Sequence, residues 1–132
     1  RQYVKIVYAV LRKKQKFNQG VLHRKLTVTL NCLDFVIKHL KDSAPRVKWE
    51  VARIIGTVTR RFPNKVKEAI PGLLENTNDK STVIRWSAAF ALTETAKGSK
   101  EAQKELVPEF KEILAREDNN GVRNIYLKYL KI

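Results

Sequence analysis

A chain of 132 residues is sized for one domain, and its 43% apolar residues, spread along its length, are enough for a core. The single cysteine, Cys32, excludes an internal disulfide and fits a reducing, intracellular setting, with the cytoplasm expected. A net charge of +14 points to a polyanionic partner, and no apolar run approaches the roughly 18 residues of a membrane span. Arg1–Leu11 shows no signal-peptide pattern, and a start at Arg1 suggests a fragment of a longer protein.

The predicted elements are helices throughout. Tyr3, Val4, Ile6, Val7, Val10 and Leu11 set a helical stripe over 3–16 that ends near Gly20. A long helix over 21–41 follows, with Leu26, Leu30, Leu33, Val36, Ile37 and Leu40 as its stripe. Asp42, Ser43, Ala44 and Pro45 make a turn that suits a helix start. The next helix, 45–62, carries Val47, Val51, Ile54, Ile55, Val58 and Phe62 at spacings of three and four. Pro63 breaks it, a helix over 64–77 runs to the Asn78–Ser81 turn, and another covers 82–97. Gly98 and Ser99 separate that helix from one over 100–116, and Asp118–Gly121 leads to the last, 122–131. Pro71 and Pro108 fall inside helical patterns, where each is expected to bend its helix at the same place. About seven helices joined by short turns describe an all-α chain with antiparallel neighbours.

These elements repeat. Trp49 and Trp86 are 37 residues apart, as are Pro71 and Pro108. At that offset Ala52 meets Ala89, Ile55 meets Leu92 and Leu73 meets Phe110, while Asp79 returns to Asp42. Arg85 finds Arg123 at 38. A period of this length signals stacked units rather than one enclosed core. Pro71, Asp79, Val83, Ile84, Arg85, Ala88, Ala89, Ala91 and Leu92 together resemble the HEAT-repeat pattern. It recurs as Asp42, Val47, Lys48, Ala52 and Ile55, and again as Pro108, Glu117, Val122 and Arg123 with a bulkier Ile125, Tyr126 and Leu127.

The resemblance implies a right-handed α-α superhelix, a solenoid of three to three and a half antiparallel pairs. Its units would be 21–62, 63–98 and 99–132, with 1–20 the remnant of a preceding one. It implies that the second helices, 45–62, 82–97 and 122–131, line a concave side. It also implies that Asp42, Asp79, Lys48, Arg85 and Arg123 pair between units in a structural role. The last helix, rich in Ile125, Tyr126, Leu127, Tyr129, Leu130 and Ile132, suggests an uncovered end, from a fragment or for end-to-end self-association.

The charge is uneven. Residues 1–33 carry eight Lys and Arg and no acid, and residues 34–66 carry eight against three. On the helix 45–62, Arg46, Trp49, Arg53, Gly56 and Arg60 fall opposite the apolar stripe. The matching positions in the next units hold Trp86, Phe90, Thr93 and Lys97, then Asn124 and Lys128. Stacked, Arg46, Trp49, Arg53, Arg60, Trp86, Phe90, Lys97 and Lys128 make a basic and aromatic surface. Arginine forks match carboxylates and phosphates, and tryptophan offers a flat face for stacking or for a cation. The tryptophans also suit the seam between units, and the Arg12–Lys16 cluster, with Arg24 and Lys25, either extends the surface or is a solvated helix end.

Other chemistry finds little support. His23, Cys32 and His39 lack tight metal-ligand spacing, the glycines stand singly, and the ladder Glu101, Glu105, Glu109 and Glu112 reads as a solvated face. No cofactor is implied. The expectation is a non-catalytic scaffold that holds a partner protein with an acidic segment. The alternative is nucleic-acid backbone binding, DNA or RNA, with a DNA alkylation-repair glycosylase as its enzymatic form. That form needs a catalytic aspartate, and only Glu50 and Glu94 are acids on the two tryptophan helices, both off the central stripe.

Overall fold

The computed structural model describes residues 33–131, and every regular element among them is helical. Helix α1 (33–38) runs into a 3-10 turn at His39–Lys41, and α2 spans Pro45–Val58. Then come α3 (Pro63–Val66), a 3-10 turn at Lys67–Ala69 and α4 (Ile70–Asn76). Helices α5 (Thr82–Gly98), α6 (Lys100–Arg116) and α7 (Asn120–Leu130) complete the described chain. The helix expected over 3–16 and residues 21–32 of the helix expected over 21–41 lie outside the described residues, as does the unit boundary at residue 20.

The starts follow local chemistry. Pro45 and Pro63 open α2 and α3, where the missing N–H of proline costs no helical bond. Ser99 and Asn119 cap α6 and α7 by accepting from the N–H groups of Ala102 and Val122, at 3.3 and 3.1 Å.

The two prolines behave differently, contrary to the expected repeated bend. The N–H that would serve the Lys67 carbonyl in an α-helix belongs to position 71, and proline has none. Ile70 donates to that carbonyl instead, so the first helix of this unit breaks into α3, a 3-10 turn and α4. Pro108 sits within an uninterrupted α6. The second helix of the preceding unit ends at Val58, short of the expected 62, because Thr59–Arg61 turn toward Pro63.

Helix α5 is central, packing along α2 on one side and α7 on the other while also touching α4 and α6. The second helices α2, α5 and α7 thus form one continuous layer. Small residues permit this. Ser87, Ala88, Ala89, Ala91, Thr93, Thr95 and Ala96 are all buried on α5, bringing neighbouring backbones close. Their buried hydroxyls are satisfied within the helix: Ser87, Thr93 and Thr95 donate to the carbonyls of Val83, Ala89 and Ala91. A single hydrophobic core runs from Leu33 to Tyr126, as stacked units that cannot bury their faces alone require. No helix among the described residues is long and apolar enough to cross a membrane.

In the last unit, Tyr126 stands where the preceding unit has Ala88, and its ring packs against Phe110 at 5.1 Å. Tyr126 is fully buried, while Ile125, Leu127, Tyr129 and Leu130 are half-buried. The large exposed apolar residues among those described are Phe35, Val83 and Trp86, none of them on α7. The described surface of α7 is therefore less bare than its sequence suggests. The Tyr126 hydroxyl is buried with no hydrogen-bond partner, and burial pushes the phenol far above its ordinary range. An unsatisfied buried hydroxyl costs about 1–3 kcal/mol. Tyr126→Phe is therefore expected to hold or raise stability, by ~1 kcal/mol, in urea unfolding. A clear loss would mean the hydroxyl has a partner after all.

Candidate partner-binding surface

Two sets of charges must be separated before the surface can be read. The first holds the units together. Asp42, Asp79 and Glu117 occupy equivalent turns, and each accepts from the backbone N–H two residues on, at 2.8, 2.9 and 3.1 Å. Lys48 of α2 reaches Asp79 of the next unit at 3.2 Å. Arg85 of α5 grips Glu117 of the following unit with two bonds, from Nε at 2.9 Å and Nη2 at 3.2 Å. Arg85 also donates to the Asp79 carbonyl at 3.0 Å, and Arg123 donates in the same way to the Glu117 carbonyl at 2.9 Å. His39 lies 3.3 Å from Asp42.

These contacts carry their electrostatic signature. At both Asp79 and Glu117, burial pushes the carboxyl upward. The Ser81 N–H and Lys48 outweigh it at Asp79, as Arg85 and the Asn119 N–H do at Glu117, so both stay below the usual carboxylate range. Glu117 raises the Arg85 guanidinium in turn. Lys48, Asp79 and Arg85 therefore pair between units as the repeat pattern implies, whereas Arg123 holds the Leu114 and Glu117 carbonyls of its own unit.

The second set lies on the exposed faces of α2 and α5. The ring of Phe90 lies directly against Gly56, where an added Cβ would come 2.4 Å from Phe90 Cε2. Only glycine lets the ring lie down on α2 without displacement. Trp86, one turn earlier on α5, stacks on Phe90 with ring centroids 5.9 Å apart and planes 11° from parallel. The indole remains 40% exposed. One turn before Gly56 on α2, the exposed Arg53 holds its guanidinium 5.9 Å from the centre of the half-buried Trp49 ring. That distance suits a cation–π contact.

The eight residues singled out from sequence divide accordingly. Trp49 with Arg53, and Trp86 with Phe90, form two aromatic pairs on neighbouring helices. Trp49 is half-buried, and Trp86 is the more exposed of the two. Arg60 is exposed beyond the end of α2 and, among the described residues, has no ion pair. Arg46 is tied to Glu50 at 3.1 Å, and Lys97 to Glu94 at 2.8 Å, so both are partly neutralised. Lys128 is exposed on α7. The seating of Phe90 on Gly56 is the feature sequence reasoning missed. Its only signal was a glycine in the middle of a helix, where it costs about 1 kcal/mol against alanine. Among the described residues no group of His, Cys, Asp or Glu gathers to hold a metal; His23 and Cys32 lie outside them.

Compared with known proteins, residues 32–131 match the family model for HEAT repeats. None of the curated proteins compared with the chain matches it.

Proposed function

The chain belongs to the HEAT-repeat family, whose members generally act as protein-interaction scaffolds and are typically non-catalytic, and from that premise we propose that its second-helix layer holds an acidic segment of a partner protein. The observation that carries this reading is the Trp86 indole, kept open to solvent on a stacked Phe90, with the exposed Arg53 set against Trp49 on the neighbouring helix. Tryptophan and arginine dominate the energetic centres of protein interfaces, because a rigid flat ring and a planar fork lose little freedom on docking. A carboxylate-bearing segment would meet Arg53 and Arg60 while an apolar side chain covers the indole. Glu50 and Glu94, the acids on these helices, are engaged by Arg46 and Lys97, which supports binding over catalysis.

The test is a fluorescence-anisotropy titration with a labelled Asp/Glu-rich peptide carrying one phenylalanine. Trp86→Ala and Arg53→Glu are each expected to weaken binding by about 2 kcal/mol, roughly 30-fold. A duplex or single-stranded oligonucleotide serves as competitor. If it binds more tightly than the peptide, with affinity falling steeply in salt and lost in Arg53→Glu/Arg60→Glu, the surface reads phosphates and the protein-partner assignment is wrong.

A further inference from the structure

A second surface, apart from the aromatic pairs, has its own chemistry. Helix α6 sorts its charges by face. With 3.6 residues per turn, Lys100, Lys104 and Lys111 project along one strip, and Glu101, Glu105, Glu109 and Glu112 along another. A groove of about 560 Å³ lies between α6 and the C-terminal ends of α5 and α7. Its walls carry Lys97 and Lys131, and its floor is Val107, Tyr129 and Leu130. A second recess of about 480 Å³ shares Gln103 and Val107 with it and adds Lys100, Lys104 and Pro108. Among the described residues no carboxylate lines either one. Lys97 is paired with Glu94 on its own helix, whereas Lys100, Lys104 and Lys131 have no acid partner among the described residues.

We propose that this double groove is a separate docking site for an acidic amphipathic segment of a partner protein. Charge complementarity selects the occupant: Lys97, Lys100, Lys104 and Lys131 line the two recesses and no described carboxylate does. The apolar floor decides between polyanions. A nucleic-acid backbone would leave Val107, Pro108 and Leu130 uncovered, while a segment with one apolar face and one acidic face covers them and meets the lysines at once. The proposal does not depend on the assignment of the Trp86 surface.

The probe is a labelled helical peptide of leucine and glutamate, with a leucine-to-serine counterpart and a single-stranded oligonucleotide beside it. Lys100→Glu/Lys104→Glu is expected to weaken the leucine–glutamate peptide about tenfold, and Val107→Ser about threefold. The titrations are run in the Trp86→Ala background, which removes binding of the peptide at the aromatic surface. The substituted lysines are exposed, and an acid at the first position of α6 favours the helix, so circular dichroism should show the fold retained. The proposal fails if the Trp86→Ala chain does not bind the peptide or if the lysine reversal has no effect. It fails equally if the serine counterpart or the oligonucleotide binds as tightly.

Discussion

Phe110→Ala is expected to lower the unfolding free energy by about 3–5 kcal/mol, the largest effect of any single truncation proposed for this chain. Phe110 is fully buried. Its ring meets Tyr126 at 5.1 Å and Tyr129 edge-on at 5.5 Å, so one side chain joins α6 to two residues of α7. Tyr126 and Val122 are the only described residues of α7 that are fully enclosed, leaving that helix few other anchors. Stacked units owe their stability to their own cores and to their nearest neighbours. The loss should therefore be local first. Hydrogen exchange across Asn120–Leu130 should lose protection while α2 and α5 keep theirs, and urea unfolding should broaden. Equal loss of protection in all helices would instead show one cooperative unit.

Glu117→Ala should cost about 3 kcal/mol. The Glu117 side chain is 2% exposed and Arg85 17%, so the alanine leaves a nearly buried guanidinium without its carboxylate. It also removes the acceptor of the Asn119 N–H at the entrance to α7. A double-mutant cycle with Arg85→Ala should return a coupling of about 2 kcal/mol. The same contact sets a pH dependence. With its folded-state pKa held below the ordinary value, Glu117 contributes stability above the unfolded carboxyl pKa of about 4.3. That contribution is lost as pH falls through the lower folded value. Asp79 has the same sign, so both act in the same acidic window. Stability should decline below about pH 4, and less steeply in Glu117→Gln. A flat profile between about pH 5 and pH 3 in the parent chain would contradict this.

The 37-residue spacing of Trp49 and Trp86 was enough to reveal which helices are equivalent, because equivalent helices in a stack must bury the same face. With a slip of one residue, to 38, the repeat also aligned Asp79 with Glu117 and Arg85 with Arg123, and the turn geometry there does repeat. The proline comparison went further than the pattern allowed. Matching positions 71 and 108 implied matching bends, yet one helix breaks and the other runs on. Sequence shows that an N–H is missing; whether a helix tolerates the loss depends on what its neighbours hold in place.

The letters of the chain alone thus carry its all-helical character and its repeat, both of which rest on periodicity along a single strand of sequence. That Lys48, Asp79 and Arg85 bridge units was implied by the likeness to the HEAT pattern. Other contacts across helices are not legible in this way. That Phe90 settles on Gly56, holding Trp86 flat and open, follows from the rotation and close approach of α2 and α5. So does the gathering of Lys97, Lys100, Lys104 and Lys131 around one apolar floor. A helical wheel says which side of a helix a residue takes, and packing alone says what it finds there.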